Sequence, residues 1–383
     1  MPVRLLTAGP LEYDPLERTI VRVGMASAFA GATDAQLDRW VEAWESEQAT
    51  TAELHAHLAP DRPAGRTEGL QHLQALHASG RGAIVCTLRA GAWLAVALEA
   101  GRAGYHAQVL GSKTFLDAHG ARFRSWTDAL GVGLDLLPFE NRATVLRLMR
   151  GLRSGKGLFA LLDSNASVAG IAAGRERNAP LDFLGMPVLM RRGMAYLAAK
   201  TGAAIVPALN LVENGARVTR FLPPIEAPDR HSEAALAGTT RRVYAALEEL
   251  VRAHPESWAG WSYLPLWWRD APSPRVPAEA YQATLDRVRE ELRNGGEAPV
   301  SIDSRHTISF QLEGADAFLD GRHRRVLHAD EPTLAVFEAV GAARSLGAVH
   351  AASGLDTEAF SVALTRLLLT GLVQADGFAT APR

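Results

Sequence analysis

Between residues 82 and 268 short apolar runs alternate with longer helical segments, and this pattern constrains the fold most. The runs fall at 83–88, 107–111, 134–137, 157–162, 204–209 and 216–222. Segments such as Arg142–Arg153, Arg191–Lys200 and Thr239–Ala253 lie between them with apolar residues at helical spacing. A run such as Ala83-Ile84-Val85-Cys86-Thr87-Leu88 is apolar almost throughout, so both of its faces want burial. Strands of that kind belong to a parallel sheet with helices on both sides. The predicted class is α/β, with a mostly parallel central sheet covered by helices, an N-terminal helical segment and a small C-terminal winged-helix-like module.

The flanks read differently. Asp14 can cap a helix that starts at Pro15, and Thr33-Asp34-Ala35-Gln36 has the form of a capping box. Leu37, Trp40, Val41 and Trp44 follow at helical spacing, and Pro60 to Gly65 breaks the pattern before a further helix over Gly69–Ser79. Near the other end, Ala271-Pro272-Ser273-Pro274-Arg275-Val276-Pro277 has the composition of a linker. A helix over Ala278–Arg293 follows, then strands at His306–Leu312 and Arg325–His328 and helices at Glu331–Ala342, Arg344–Ser353 and Thr357–Thr370. The expected organisation is an α/β domain over 1–270 (1–80 mainly helical), a linker and helix over 271–299, and a small domain over 300–383.

Composition removes several classes of function. The chain of 383 residues is 48% apolar and 21% charged with a net charge of −2, so no global basic field points to nucleic acid. One cysteine, Cys86, excludes an internal disulfide and a cysteine-based zinc cluster, and the histidines show no metal-ligand spacing with acids. His55, His57, His119 and His254 therefore read as packing or surface residues. No apolar run reaches the roughly 18 residues of a membrane span, and Met1–Leu6 has no signal-peptide pattern. The expected location is cytoplasmic, with peripheral contact to the inner membrane left open.

The strand at 83–88 runs into Arg89-Ala90-Gly91-Ala92-Trp93-Leu94, with a helix leaving from Trp93. Ligands of α/β sheets bind outside such strand ends. The block Gly82–Trp93 resembles the strand-and-motif block of the lipid A late (lauroyl/myristoyl) acyltransferases, within the lysophospholipid acyltransferase superfamily. Leu152–Gly157 with Leu161-Leu162-Asp163 resembles the second block of that family. Phe183-Leu184-Gly185-Met186-Pro187 with Arg192–Ala198 and Thr201-Gly202-Ala203 resembles the third, and Leu250–Trp258 resembles its C-terminal signature. Order and spacing agree over about residues 15–268.

The resemblance implies acyl transfer from a coenzyme A or acyl-carrier-protein thioester, with no other cofactor and no metal. In that family a histidine at position 89 takes the acceptor's proton and an acid at position 94 orients it. This chain has Arg89 and Leu94 instead, while Gly91 and Trp93 keep the scaffold. It also has Ser164 for the usual glutamine, and Trp261-Ser262-Tyr263 in place of a basic run. Arginine stays protonated and cannot act as a general base.

Two readings of Arg89 stand side by side: it holds an anion or a developing oxyanion, or it pairs with a nearby acid and plugs the site. Asp163 and Asn165, at the end of the 157–162 strand, are either site residues or loop caps. Trp93 is a substrate-binding candidate, and Arg191 and Arg192 would meet donor phosphates or pair on the surface. Cys86 is a less favoured nucleophile or a small buried residue. Trp258, Trp261, Trp267 and Trp268 form core or an acyl-chain wall.

The C-terminal module resembles, through Phe318-Leu319-Asp320-Gly321, Arg325-Val326-Leu327 and Leu367–Val373, the winged-helix peptide chaperones of the pyrroloquinoline-quinone pathway type. That implies a peptide or protein partner added at a sheet edge. The basic run Arg322-His323-Arg324-Arg325 leaves nucleic acid as the least favoured partner. The expected function is handling of an acyl thioester, with transfer to an amine, hydroxyl or thiol in a specialised small-molecule or peptide pathway without the His–acid base. The alternatives are an inactive binding or scaffold subunit and, last, a winged-helix regulator.

Overall fold

The computed structural model describes residues 15–141, 143–163, 178–228, 232–262, 264, 277–303, 306–312, 315–321 and 325–378. The chain clusters into two compact units. One is built from residues 33–267; the other joins the helix α1 (Pro15–Ala28) to everything beyond residue 268.

The larger unit begins with α2 (Asp34–His57), whose capping box forms as its sequence indicates: Thr33 Oγ1 accepts from Gln36 N–H at 3.3 Å, and Thr33 N–H donates to Gln36 Oε1 at 2.9 Å. Then follow β1 (Arg66–Glu68), α3 (Leu70–Ala78), β2 (Ala83–Thr87), α4 (Trp93–Gly101), β3 (Ala107–Gly111), α5 (Lys113–Leu130), β4 (Leu134–Pro138), α6 (Thr144–Arg153) and β5 (Gly157–Leu161). A hairpin of β6 (Asn178–Phe183) and β7 (Met186–Arg191) precedes α7 (Gly193–Thr201), β8 (Ala204–Glu213), β9 (Ala216–Phe221) and α8 (Glu233–Ala253).

Seven strands form one sheet in the order β1-β9-β8-β2-β5-β3-β4. Among its described strands only the β8–β9 pairing is antiparallel. All six apolar runs are strands of this sheet. Because successive side chains alternate, Val85, Val109, Phe159 and Val206 join a core with Leu73, Leu94, Leu98, Phe123 and Trp126 from α3, α4 and α5. On the opposite face α6 packs on β5, and α7 and α8 pack on β8. The α/β class with a mostly parallel, covered sheet is what the structure has.

Two features had no apolar signal. The strand β1 is three residues, Arg-Thr-Glu, held beside β9 partly by Glu68 with Arg220 at 2.9 Å. The β6–β7 hairpin turns at Leu184 (φ 57°) and Gly185 (φ 73°), two consecutive positive φ values that suit the right-handed twist of a two-residue hairpin. The Phe183–Pro187 block is therefore a hairpin tip, and Arg191 ends a strand instead of opening a helix.

The second unit continues with α9 (Ala278–Arg293), β10 (Val300–Ser301), β11 (Thr307–Leu312), β12 (Ala315–Asp320), β13 (Arg325–His328), α10 (Glu331–Ala342), α11 (Leu346–Ser353), α12 (Thr357–Thr370) and β14 (Gln374–Ala375). Strands β11, β12 and β13 form an antiparallel sheet, and β10 pairs with β14. Val288, Phe318, Phe337, Leu346, Phe360, Leu364 and Val373 share its core.

The helix α1 was expected in the first domain, but it packs here. Ser27 Oγ donates to Gly321 O at 2.9 Å, and a Cβ on Gly321 would stand 2.4 Å from Val23 Cγ1. Close approach between helix and strand end requires the glycine.

Phe360 is fully buried against His350 and the α10–α12 core. Phe360→Ala is expected to destabilise this unit by about 3–5 kcal/mol, read as an earlier urea transition.

Candidate functional site

The strand-end loop is built mostly from backbone. After β2, Gly91 N–H donates to Ser257 O and Ala259 N–H donates to Arg89 O, each at 2.8 Å. Ala90 and Trp258 thereby form an isolated bridge, so residues 257–259 act as a short extra strand against the loop. Gly91 has φ +52°, and a Cβ there would lie 2.2 Å from Asn210 O. Only glycine fits both demands. Trp93 N–H donates to Gly91 O at 2.8 Å, a tight turn that swings the chain into α4.

Asp163 stands at the centre of this loop. Its side chain is wholly buried, directly after β5. Oδ2 accepts from Arg89 N–H at 2.8 Å and from Trp258 Nε1–H at 3.2 Å. The Arg89 guanidinium closes over it: Nη2–H donates to Asp163 O at 2.7 Å, and Nε lies 3.6 Å from Oδ1. A buried carboxylate demands such compensation. Trp258 is fixed in turn by packing on Phe183 and Trp261 at 5.4 and 5.1 Å, and its carbonyl accepts from Trp44 Nε1–H at 3.0 Å.

A second buried network holds the next residue of the loop. Ala92 N–H donates to Asn210 Oδ1 at 3.1 Å, and Asn210 Nδ2–H donates to Thr219 Oγ1 at 2.9 Å. Arg217 reaches Asn210 Oδ1 at 3.3 Å and grips Glu47 of α2 with two bonds of 2.8 and 3.0 Å. This fork geometry fixes α2 beside the loop.

Leu94 is fully buried, and its N–H donates to His55 Nε2 at 3.3 Å. His55 thus supplies the cap that α4 lacks at Ala92. Its Nε2 is the acceptor here, so the ring is neutral and carries its proton on Nδ1. Burial, with Arg122, His119 and Arg217 nearby, lowers its pKa from 6.5 to about 3.

The structure brings Arg89 and Asp163 together as an ion pair and places Trp93 at the edge of the loop. Cys86 is completely buried inside β2, and burial pushes its thiol pKa up, which keeps the proton on sulfur. Arg191 is exposed at the end of β7, and Arg192 pairs with Glu233. Asn165, Ser164, Tyr263, Trp267, Trp268 and Arg322–Arg324 lie outside the described residues. Trp258 and Trp261 are fully buried packing residues.

An apolar cavity lies between the sheet and α4–α5, lined by Ala83, Ala97, Gly101, Ala107, Leu130 and Gly157 among others. It sits toward the amino-terminal halves of β2, β3 and β5, and Arg89 does not line it. Among the described residues no group of three or more His, Cys, Asp and Glu side chains could hold a metal ion. Glu47, Asn210 and Arg217 gave no sequence signal, since the residues they hold lie far away in the chain, and the Leu250–Trp258 block did not reveal that the Ser257 carbonyl accepts from Gly91 N–H.

Removing the Arg89 side chain leaves Asp163 as an unpaired buried charge. Arg89→Ala is expected to cost about 3–5 kcal/mol in urea denaturation, and Arg89→Ala/Asp163→Asn to recover part of that loss.

The depressed pKa of His55 has a defined sign. The unfolded chain, with its ordinary value of 6.5, binds the proton more readily than the folded chain at about 3. The resulting stability is complete above the ordinary value and is lost as pH falls toward the folded value. His55→Gln, which keeps an acceptor for Leu94 N–H, is expected to show a shallower fall in stability between about pH 6.5 and pH 4, measured by denaturation at each pH.

Residues 12–263 match the family described as bacterial lipid A biosynthesis acyltransferase. No curated protein matches the chain. Among solved structures, the crystal structure of the 1-acyl-sn-glycerophosphate (LPA) acyltransferase PlsC from Thermotoga maritima is similar at a TM-score of 0.32 and 11% identity, over 61% of this chain and 95% of that one. The pilus retraction motor PilT with bound ADP is similar at a TM-score of 0.24 and 15% identity, over 53% of this chain and 65% of that one. Likenesses this low carry no argument, whereas the family match spans more than half of the chain. The chain belongs to the bacterial lipid A biosynthesis acyltransferase family.

Proposed function

We propose that this chain carries out acyl transfer without a His–acid dyad. An acyl thioester of coenzyme A or of an acyl carrier protein is the donor, and the acceptor is an amine, hydroxyl or thiol that brings its own nucleophilicity. One observation carries the reading: the two positions where the family places its base and acid hold Arg89, committed to Asp163, and Leu94, buried with its N–H on His55. Neither group can take a proton from an acceptor. Arg89 and Asp163 act instead as positioning residues that fix the loop, and Trp93 faces the ligand. The smaller unit takes a peptide or protein partner by strand addition to its three-stranded sheet. The location is cytoplasmic or peripheral to the inner membrane; among the described residues no helix is long and apolar enough to cross one.

A general base contributes typically about 10²–10⁴-fold, so its loss falls on the least acidic acceptors. With acyl-coenzyme A or acyl-carrier protein as donor, the expected rate rises steeply from alcohols to thiols and weakly basic amines at neutral pH. An alcohol acylated as fast as a thiol would overturn the reading. The second reading, a binding subunit that transfers nothing, is favoured by the occupied state of Arg89. Donor binding without turnover toward any acceptor in the same series would establish it instead.

A further inference from the structure

Around the start of α4, side chains of three helices form a cluster beside the strand-end loop. Phe115, His119 and Arg122 fall on one stripe of α5, at i, i+4 and i+7. The Phe115 and His119 rings are 4.9 Å apart. Trp93 lies 6.1 Å from Phe115 and meets His119 edge-on at 6.0 Å, while His55 of α2 meets Trp93 edge-on at 5.0 Å. All four aromatic rings are partly exposed.

Two groups in this cluster are unsatisfied. Among the described residues Arg122 has neither an acid nor a hydrogen-bond partner, and burial alone lowers its pKa. Arg217, the other cation near His55, is matched by Glu47, so the charge of Arg122 stands uncompensated. His119 Nδ1 is buried with no hydrogen-bond partner. Burial, with the Arg122 guanidinium adding to it, lowers the proton affinity of both imidazoles. Lys113 and Asp117, the charged neighbours on the preceding turn of α5, pair with each other at 2.6 Å. Residues 93, 115 and 119 follow the carboxyl ends of β2 and β3, the edge where α/β sheets take ligands.

We propose that Arg122, His119, Trp93 and Phe115 form a binding site for an anionic oxygen group, with an apolar or flat part of the same ligand against the two aromatic rings. Arg122 supplies the charge and a planar donor fork, and the His119 ring packs on Phe115 beside it. Binding here does not depend on turnover, so the site stands or falls apart from the acyl-transfer reading. The anion has two chemical sources, a phosphate of the donor carrier or a carboxylate of the acceptor.

Calorimetric titration of the full chain with coenzyme A, pantetheine, inorganic phosphate and hexanoate separates them. Wild type is expected to bind coenzyme A or hexanoate, and Arg122→Gln to bind the same probe at least about tenfold more weakly, with Arg122→Lys in between. Phosphate competing for the site assigns it to a carrier phosphate; hexanoate binding with no phosphate competition assigns it to a carboxylate. Pantetheine, which has neither group, is expected to be insensitive to Arg122. Equal affinity of wild type and Arg122→Gln for every anion, or no binding of any anion to wild type, would overturn the proposal. Arg122 is partly exposed and unpaired, so a thermal melt matching wild type shows that the variant folds.

Discussion

A single carboxylate with no access to water governs the strand-end loop. Asp163 follows directly on β5 and is fully buried, so its charge must be met inside the protein. Its needs fix the Arg89 backbone and side chain and the Trp258 indole. Through Trp258 they reach Trp44 on α2, 214 residues away in the sequence. An arginine at position 89 is a physical answer to that carboxylate as much as a departure from the family's chemistry. A histidine there would be a weaker and pH-dependent counter-charge.

The positive charges of the larger unit divide by whether an acid meets them. Arg89 answers Asp163 and Arg217 answers Glu47, each within a buried network that holds one residue of the loop. These cations serve architecture. Arg122 has no such duty among the described residues. A charge that is partly desolvated without compensation weakens the fold, and the proposed anion at Arg122 supplies that compensation from outside the chain.

Much of the architecture was legible because burial leaves a pattern in sequence. A strand covered on both faces must be apolar, and all six apolar runs became strands of the main sheet. The Thr33–Gln36 capping box is equally local and equally readable. Strand β1 escaped notice because three polar residues carry no periodicity. The Arg89–Asp163 pairing was visible only as one of two alternatives, since its members lie 74 residues apart. His55 read as a packing histidine, and nothing near it in the sequence announces that it caps a helix 39 residues on. Local rules report helices, caps and burial, but long-range polar partners follow from topology.

The contact between α1 and Gly321 bears on how the protein is made. Its two ends are 294 residues apart, with the entire larger unit in between. Synthesis at roughly 5–20 residues per second leaves α1 without its native surface for tens of seconds. During that interval its apolar side chains, Val21, Val23 and Met25 among them, have no finished sheet to cover. The smaller unit closes only after the ribosome has delivered β14, later than the whole of the larger unit. A nascent chain of this design depends on α1 staying soluble, or on a chaperone shielding it, for the whole time that the larger unit is folding.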